Sequence, residues 1–167
     1  MAINLRDIPD AVRTYLNTKV AVTIGPIAEA GQQLNPNEPF SFTVTVANAN
    51  AANGGVALKN VKYRVAIIHA TVAKLKAPSA STDLAGNPLV AGTEVNGFIF
   101  SPAATNAFST LEVGDTDVFT VQGKAGSAPA GGSTQIQVRI IADVDVDSLF
   151  PKGEDTPTAI RALQVVG

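Results

Sequence analysis

The sequence predicts a mostly β fold, with seven to eight strands in two packed antiparallel sheets and one short helix in front of them. Three observations carry this prediction: apolar and polar residues alternate along many short segments, turn-forming residues separate those segments, and helices do not alternate with strands. Alternation with period two places apolar side chains on one face, as in antiparallel sheets with one solvated face. Many short strands with turns between them favour a sandwich over an α/β fold.

One amphipathic helix is predicted at residues 7–17. Ile8, Val12, Tyr15 and Leu16 recur at helical spacing and form one apolar stripe. A helix of about three turns is marginal on its own, so this one is expected to dock onto a protein surface. Two modes are open: it is a lid on the edge or end of its own sandwich, or an arm that docks on another subunit.

The strands follow from the period-two alternation. The clearest one has Phe40, Phe42, Val44 and Val46 on one face, with serine and threonine between them. The predicted strands, in chain order, are 20–24, 40–46, 61–67, 72–76, 98–100, 118–121, 136–144 and 159–166. Turn signals separate them at 35–39, 53–55, 114–115 and 123–133.

Residues 77–110 break this rhythm. Proline, glycine and serine interrupt regular structure there, yet many of the other residues are apolar. A long segment of this kind in a compact domain is usually functional or disordered, and this one is too apolar for disorder. It either folds back over the edge of its own sheet or forms a contact surface for a partner or a second copy. The predicted organisation is therefore a helical arm at 1–17 and a sandwich at 18–167 with an insertion at 77–110.

Two turn-and-strand patterns resemble a known family. Leu34-Asn35-Pro36-Asn37-Glu38-Pro39 leads into the strand at 40–46, and Leu111-Glu112-Val113-Gly114-Asp115 leads into the strand at 118–121. An acidic turn at 145–155 then precedes the last strand. This order is similar to that of CARDB-type bacterial immunoglobulin-like domains, which occur in adhesion and surface proteins. The resemblance covers about residues 18–166 and implies an immunoglobulin-like sandwich, with Asn37 and Val113 in place of the family's usual Gly and Pro.

Composition excludes several classes of function. The net charge is −2, and Lys59, Lys62 and Arg64 form the densest positive group, so a nucleic-acid partner is not expected. No apolar stretch approaches the ~20 residues of a membrane span. The chain has no cysteine, which excludes disulfides and thiolate metal sites.

The sequence indicates no enzyme, no catalytic residues and no cofactor. Its single histidine, His69, stands at the end of an apolar strand and is expected to be a hydrogen-bonded strand-end residue, since a hydrolytic triad needs three partners in mutual reach. Gly123-Lys124-Ala125-Gly126 lacks the Ser or Thr and the helix of a phosphate-binding loop, and is predicted to be a flexible hairpin loop.

One acidic constellation has the spacing of a calcium-binding loop. Asp143, Asp145, Asp147 and Glu154 occupy positions 1, 3, 5 and 12 of a twelve-residue stretch. Ser148 stands where the sharp turn of such a loop requires glycine, and period two also places three aspartates on one solvated strand face without any metal. Both interpretations stay open, and no metal ligand is assigned.

These features predict a non-enzymatic structural protein, in the first place a virion component such as a phage capsid decoration protein. Its partners would be copies of itself or a particle surface. Residues 1–7 have no apolar stretch of the kind a signal peptide needs, which favours a native start and synthesis in the cytoplasm. The alternative, implied by the CARDB resemblance, is a cell-surface or adhesion-type protein-binding module whose leader has been removed.

Overall fold

The computed structural model describes residues 8–27, 33–69, 72–101, 110–127, 132–144, 153–154 and 159–165. One α-helix, α1, covers Ile8–Lys19, and a short 3-10 helix covers Ala51–Asn53. The strands are β1 Val20–Ile24, β2 Gln33–Leu34, β3 Pro39–Asn48, β4 Leu58–Ile67, β5 Ala73–Lys76, β6 Glu94–Val95, β7 Gly97–Phe100, β8 Thr116–Ala125, β9 Gly132–Val144, β10 Gly153–Glu154 and β11 Ala159–Val165.

The strands form two sheets, which confirms the predicted immunoglobulin-like β-sandwich with a short N-terminal helix. Sheet A has the order β1-β3-β8-β5-β6, and sheet B has the order β2-β11-β9-β4-β7, with β10 added beside β9. In the part of the chain that the structure describes, eight strands have four or more residues, as expected, and three further strands have only two residues each. One pairing departs from the prediction: β2 and β11 are parallel, because Gln33–Leu34 lies on the far side of β11 from β9 and runs in the direction of β11.

The core lies between the inner faces of the two sheets. Along β3 the burial alternates strictly, with Phe40, Phe42, Val44 and Val46 inside and polar residues outside. An aromatic cluster joins the sheets: Tyr63 of β4 stacks on Phe119 of β8 with ring centroids 5.0 Å apart, and Phe100 of β7 meets Phe119 edge-on at 4.9 Å. Such aromatic pairs stabilise a core beyond their buried area.

Two turns explain the family-like sequence patterns. Asn37 has φ 62° at the third position of the turn 35–38, which the Glu38 N–H closes on the Asn35 carbonyl at 3.1 Å. Gly114 has φ 76° at the same position of the turn 112–115. A positive φ at that position defines a type II turn and favours Gly or Asn. Asn37 therefore adopts the positive φ for which the family usually has glycine.

Helix α1 covers one end of its own sandwich. Leu16 is fully buried, and Tyr15 packs against the core cluster. The helix leads directly into β1, and the Lys19 carbonyl accepts a hydrogen bond from the Ala49 N–H at 2.9 Å. At these positions the helix is a lid rather than a projecting arm.

The lid is joined to the sandwich by one buried amide, Asn48 at the end of β3. Its Nδ2 lies 2.8 Å from the Val56 carbonyl, 3.3 Å from the Leu111 carbonyl and 3.2 Å from the Glu112 carbonyl. Its Oδ1 accepts from the Tyr15 hydroxyl at 2.8 Å, and that hydroxyl accepts from the Val56 N–H at 2.8 Å. Because carbonyls only accept hydrogen bonds, this environment fixes the orientation of the amide. Asn48 thus connects α1, β3 and two loops.

The described part of the insertion lies over the sheet edges. β6 pairs with β5, and β7 pairs with β4, so each sheet gains its edge strand from this region. Thr82 and Ile99 exchange backbone hydrogen bonds of 2.9 Å in both directions, which covers the outer edge of β7. Asp83 accepts from the Ala85 and Asn87 N–H groups, and these bonds, the Asn87 bond above all, lower the pKa of the Asp83 carboxyl.

The prediction of a flexible loop at Gly123-Lys124-Ala125-Gly126 is wrong, because the first three residues belong to β8. Gly123 lies opposite Phe40 of β3, and a Cβ at Gly123 would collide with the Phe40 ring and stand 2.8 Å from the Lys74 carbonyl. Glycine in a strand often marks such a close approach. Gly123 therefore marks a close contact between β8 and its neighbouring strands, and β8 does not end there.

Tyr63 is fully buried, and its hydroxyl donates to Asp117 Oδ2 at 2.8 Å. Burial raises the pKa of Tyr63 far above its ordinary value of 10.0, and the charge and hydrogen bond of Asp117 raise it further. The folded chain therefore holds this proton where the unfolded chain releases it.

This difference predicts a loss of stability in alkaline solution. The contribution of neutral Tyr63 is complete below the unfolded pKa of 10.0 and declines as the pH rises towards the raised folded value. Above pH 10.0 the free energy of unfolding should therefore decrease more steeply with pH in the wild type than in Tyr63→Phe, by about 1.4 kcal/mol for each pH unit. Urea unfolding of both chains from about pH 9 to 11 measures the two slopes; equal slopes would contradict the assignment.

Candidate protein-binding surface

Most of the outward side of sheet A is uncharged over three adjacent strands, and Lys124 near the end of β8 is the charged residue on it. We call the uncharged part the outer face and define it by these outward residues of β1, β3 and β8: Ala21, Thr23, Ser41, Thr43, Thr45, Ala47, Thr116, Val118, Thr120 and Gln122. The register places these residues in rows across the strands, for example Thr23, Thr45 and Val118. The face extends about 10 Å across the strands and about 20 Å along β8. Val118, on the β8 side of this face, is 62% exposed.

The opposite side of the molecule is different in charge. On sheet B, Lys62 and Arg64 of β4 point outward, and Arg64 lies directly opposite Arg139 of β9. Lys62 and Arg64 thus form part of a cationic sheet surface, and the backbone of Lys59 also belongs to β4. The outer face is thus depleted of charge compared with this surface of sheet B, although sheet A also has the exposed Lys74 and Lys124 beyond the outer face.

Strand β8 also has an unpaired edge among the described strands. The Asn48 N–H bonds the Asp115 carbonyl at 2.9 Å, so odd-numbered residues of β8 bond to β3 and even-numbered residues direct their N–H and C=O away from it. β5 pairs only with Gly123, Lys124 and Ala125 on that side. We call the N–H and C=O groups of Thr116, Val118 and Thr120 the free edge, because no described strand pairs with them.

Pro78 explains why β5 pairs no further. The register of Lys74 opposite Lys124 would place residue 78 opposite Thr120, at a position whose N–H should point at β8. Proline has no N–H and cannot continue the ladder. Ala77 is therefore the last residue in line with β5, and its N–H still bonds the β6 side, to the Thr93 carbonyl at 2.9 Å.

A cavity of about 310 Å³ opens beside Thr120, the last residue of the free edge before β5 begins to pair with β8. Phe98, Phe100 and Val121 supply apolar walls, and Ala77 and Gly92 line it from the departing chain. Lys76 lines both this cavity and a shallow depression on the outer face with Ser41 and Gln122. The cavity thus lies where an additional strand beside β8 would direct its inward side chains.

Charged residues mark the two ends of the free edge. Lys74 and Lys124 are exposed and lie directly opposite each other, with Lys76 two residues along β5. Like charges in opposed positions repel each other. At the other end, Glu112 and Asp115 are exposed in the turn before β8. An extended ligand along β8 would therefore meet positive charge at one end and negative charge at the other.

His69 lies at a strand end, with an exposed side chain. Its backbone N–H donates to Thr134 Oγ1 at 2.9 Å, and its carbonyl accepts from the Val72 N–H at 3.0 Å. Among the described residues, no group of three or more His, Cys, Asp or Glu side chains is placed to hold a metal ion. The same part of the chain contains no helix long and apolar enough to cross a membrane.

The acidic constellation is not tested by the structure. Asp145 and Asp147 lie outside the described residues, as do the side chains of Asp143 and Glu154. The backbone places Asp143 in β9 and pairs Glu154 of β10 with Ile141 of β9. The calcium site therefore stays a prediction.

Comparison with known proteins supports the fold. No family model matches the chain, and no curated protein matches it. Among solved structures, the chain is similar to AvmM, which catalyzes macrocyclization in alchivemycin A biosynthesis, with 10% identity, 90% of each chain covered and a TM-score of 0.56. It is also similar to the seventh ScaB type I cohesin from Pseudobacteroides cellulosolvens, with 14% identity over 89% of this chain and 93% of that one and a TM-score of 0.52.

The family named from the sequence is found again in this comparison. A CARDB domain from Pyrococcus furiosus, solved in complex with di-metal ions, has 17% identity over 90% of this chain and 91% of that chain, with a TM-score of 0.41. The two solved structures with TM-scores above 0.5, AvmM and the cohesin, support the β-sandwich fold. Because one of them catalyzes macrocyclization and the other is a cohesin, the sandwich alone does not assign a function.

Proposed function

We propose that this chain is a non-enzymatic structural or assembly module that binds other protein chains through the outer face of sheet A. The observation that carries the proposal is the uncharged, exposed surface of β1, β3 and β8. The centres of protein interfaces are depleted of charged residues, whereas the surface of an ordinary soluble domain mixes both signs of charge. The similarity to sandwich modules such as cohesin is consistent with a protein-binding role.

The buried polar groups of the described region support a structural role. Asn48, Ser81 and Thr134 are the buried polar side chains there, and each has a hydrogen-bond partner. Catalytic sites instead tend to hold ionisable groups with strongly perturbed pKa values in a cleft. The one large perturbation among the described residues belongs to Tyr63, which is sealed between the sheets.

The finer form of the proposal is that the assembly is a virion, with this chain as a capsid decoration protein made in the cytoplasm. The alternative is a cell-surface or adhesion-type module. Fractionation of cells that encode the protein, followed by detection with an antibody to the chain, separates the two. Recovery with sedimenting particles supports the virion form, and recovery in the envelope fraction supports the surface module.

The outer face itself is tested by placing one charge on it. Thr43 is exposed in the middle of β3, and Thr43→Lys should abolish assembly while changing the free energy of unfolding by less than about 0.5 kcal/mol. Gln135→Lys, an exposed position of β9 on sheet B, is the matched control. Sedimentation velocity of the purified chains, alone and mixed with the particle fraction, measures the assembly. If Thr43→Lys assembles like the wild type, the outer face is not the working surface.

A further inference from the structure

We infer that the free edge of β8 is a strand-addition site, which takes an extended peptide segment of a partner protein as an additional antiparallel strand of sheet A. The inference rests on the proposed binding function and adds a second, distinct contact to it. The free edge presents three N–H and three C=O groups from Thr116, Val118 and Thr120, none of which pairs with a described strand. Backbone groups of this kind are a template for another strand.

The place for the added strand is set by the register. β5 occupies the position beside Gly123–Ala125, and Ala77 continues its line beside Val121 before the chain leaves at Pro78, so the vacant position begins next to Thr120 and continues to Thr116. A peptide in line with β5 would run antiparallel to β8 and start beside Pro78. Its residues opposite Thr120 and Val118 would bond the edge, and their side chains would extend the outer face.

The alternate peptide residues would point into the molecule. The first such residue lies opposite Phe119, on the side where Phe100 packs against the Phe119 ring, and beside the cavity of about 310 Å³ whose walls include Phe98 and Phe100. That volume suits one or two branched aliphatic side chains, which gives the site a preference at this position. A strand that alternates apolar and hydroxyl side chains is therefore the chemistry that fits both of its faces.

The charged residues at the two ends of the free edge favour a peptide with opposite charges at its two ends. Lys74, Lys76 and Lys124 surround the end at which the antiparallel peptide begins, and Glu112 and Asp115 lie at the end where it finishes. A peptide with acidic residues at its start and a basic residue at its end complements both. The partner class is thus an extended segment with acidic, then alternating apolar and hydroxyl, then basic residues.

The probe is a synthetic blocked peptide with the sequence Glu-Glu-Leu-Thr-Val-Thr-Ser-Thr-Lys. Strand addition predicts an alternating readout: amide hydrogen exchange of Val118 and Thr120 should slow at least about tenfold at saturation, whereas Asp117 and Phe119, which already bond to β3, should not change. A peptide with proline in place of its first two threonines lacks the required N–H groups and should give no protection. Uniform protection, or protection elsewhere, overturns the inference.

A variant of the edge gives an independent test. Val118→Pro removes an N–H that β3 does not use, and its ring obstructs the edge, so the dissociation constant measured by fluorescence anisotropy with labelled peptide should rise by about tenfold or more. Val118→Thr keeps the N–H and should bind like the wild type.

Equal peptide binding by the wild type, Val118→Pro and Val118→Thr overturns the inference. If Thr43→Lys still binds the peptide but no longer assembles, the free edge and the outer face are separate sites. If the wild-type chain assembles but does not bind the peptide, the strand-addition site is refuted while the proposed function stands.

Discussion

Replacement of Asn48 by leucine is expected to lower the free energy of unfolding by about 3 kcal/mol or more, although leucine has a similar size and is apolar. The amide nitrogen faces three backbone carbonyls and the amide oxygen holds the Tyr15 hydroxyl. Leucine leaves these groups buried with fewer partners, and each such loss costs about 1–3 kcal/mol. Urea unfolding followed by circular dichroism measures the change.

Two further variants of this region refine the test. Asn48→Asp keeps the shape and the acceptor for Tyr15 but points an oxygen at the three carbonyls, so it should also destabilise the chain strongly at neutral pH. Asn50→Ala removes an exposed side chain that caps the short helix at Asn53, and should cost only about 1 kcal/mol. A wild-type free energy of unfolding in Asn48→Leu would show that the amide does not join the lid to the sandwich.

Gly123→Ala should cost about 2–4 kcal/mol, because the added methyl group meets the Phe40 ring on one side and the Lys74 carbonyl on the other. The exposed neighbour Lys124→Ala is the control, with no loss of stability expected, since Lys124 faces another lysine. In a Phe40→Leu background the cost of Gly123→Ala should fall by about 1 kcal/mol or more, because the ring that it meets is gone. Additive effects of the two substitutions would contradict the packing described here.

The fold could be predicted because the pattern and the local chemistry agree. Period-two alternation located the main strands, and the stripe that includes Tyr15 and Leu16 located the helix. These signals are local: each needs only neighbouring residues to decide which side chains face the core. Local signals fail at Gly123, because the reason for that glycine, the Phe40 ring, comes from another strand, whereas the neighbouring residues alone predict a loop.

The binding surface was beyond what the sequence could predict. Alternation indicates that Thr43 and Val118 face outward, but only strand order places them side by side on one uncharged face. The free edge depends on where β5 leaves the sheet, and nothing near Pro78 in the sequence indicates that it lies opposite Thr120. Asn48 stands in the run Ala47-Asn48-Ala49-Asn50, and nothing local indicates the carbonyls that surround it. Pairings between distant segments create all three features.

The two tyrosines of this tryptophan-free chain stand at different structural joints. Tyr15 binds Asn48 where the lid meets the sandwich, and Tyr63 lies between the sheets with its hydroxyl on a carboxylate. Their ultraviolet signals consequently report on separate events, and replacing either one with phenylalanine isolates the other. The protein thus carries two built-in optical reporters, one for undocking of the lid and one for the melting of the aromatic interior.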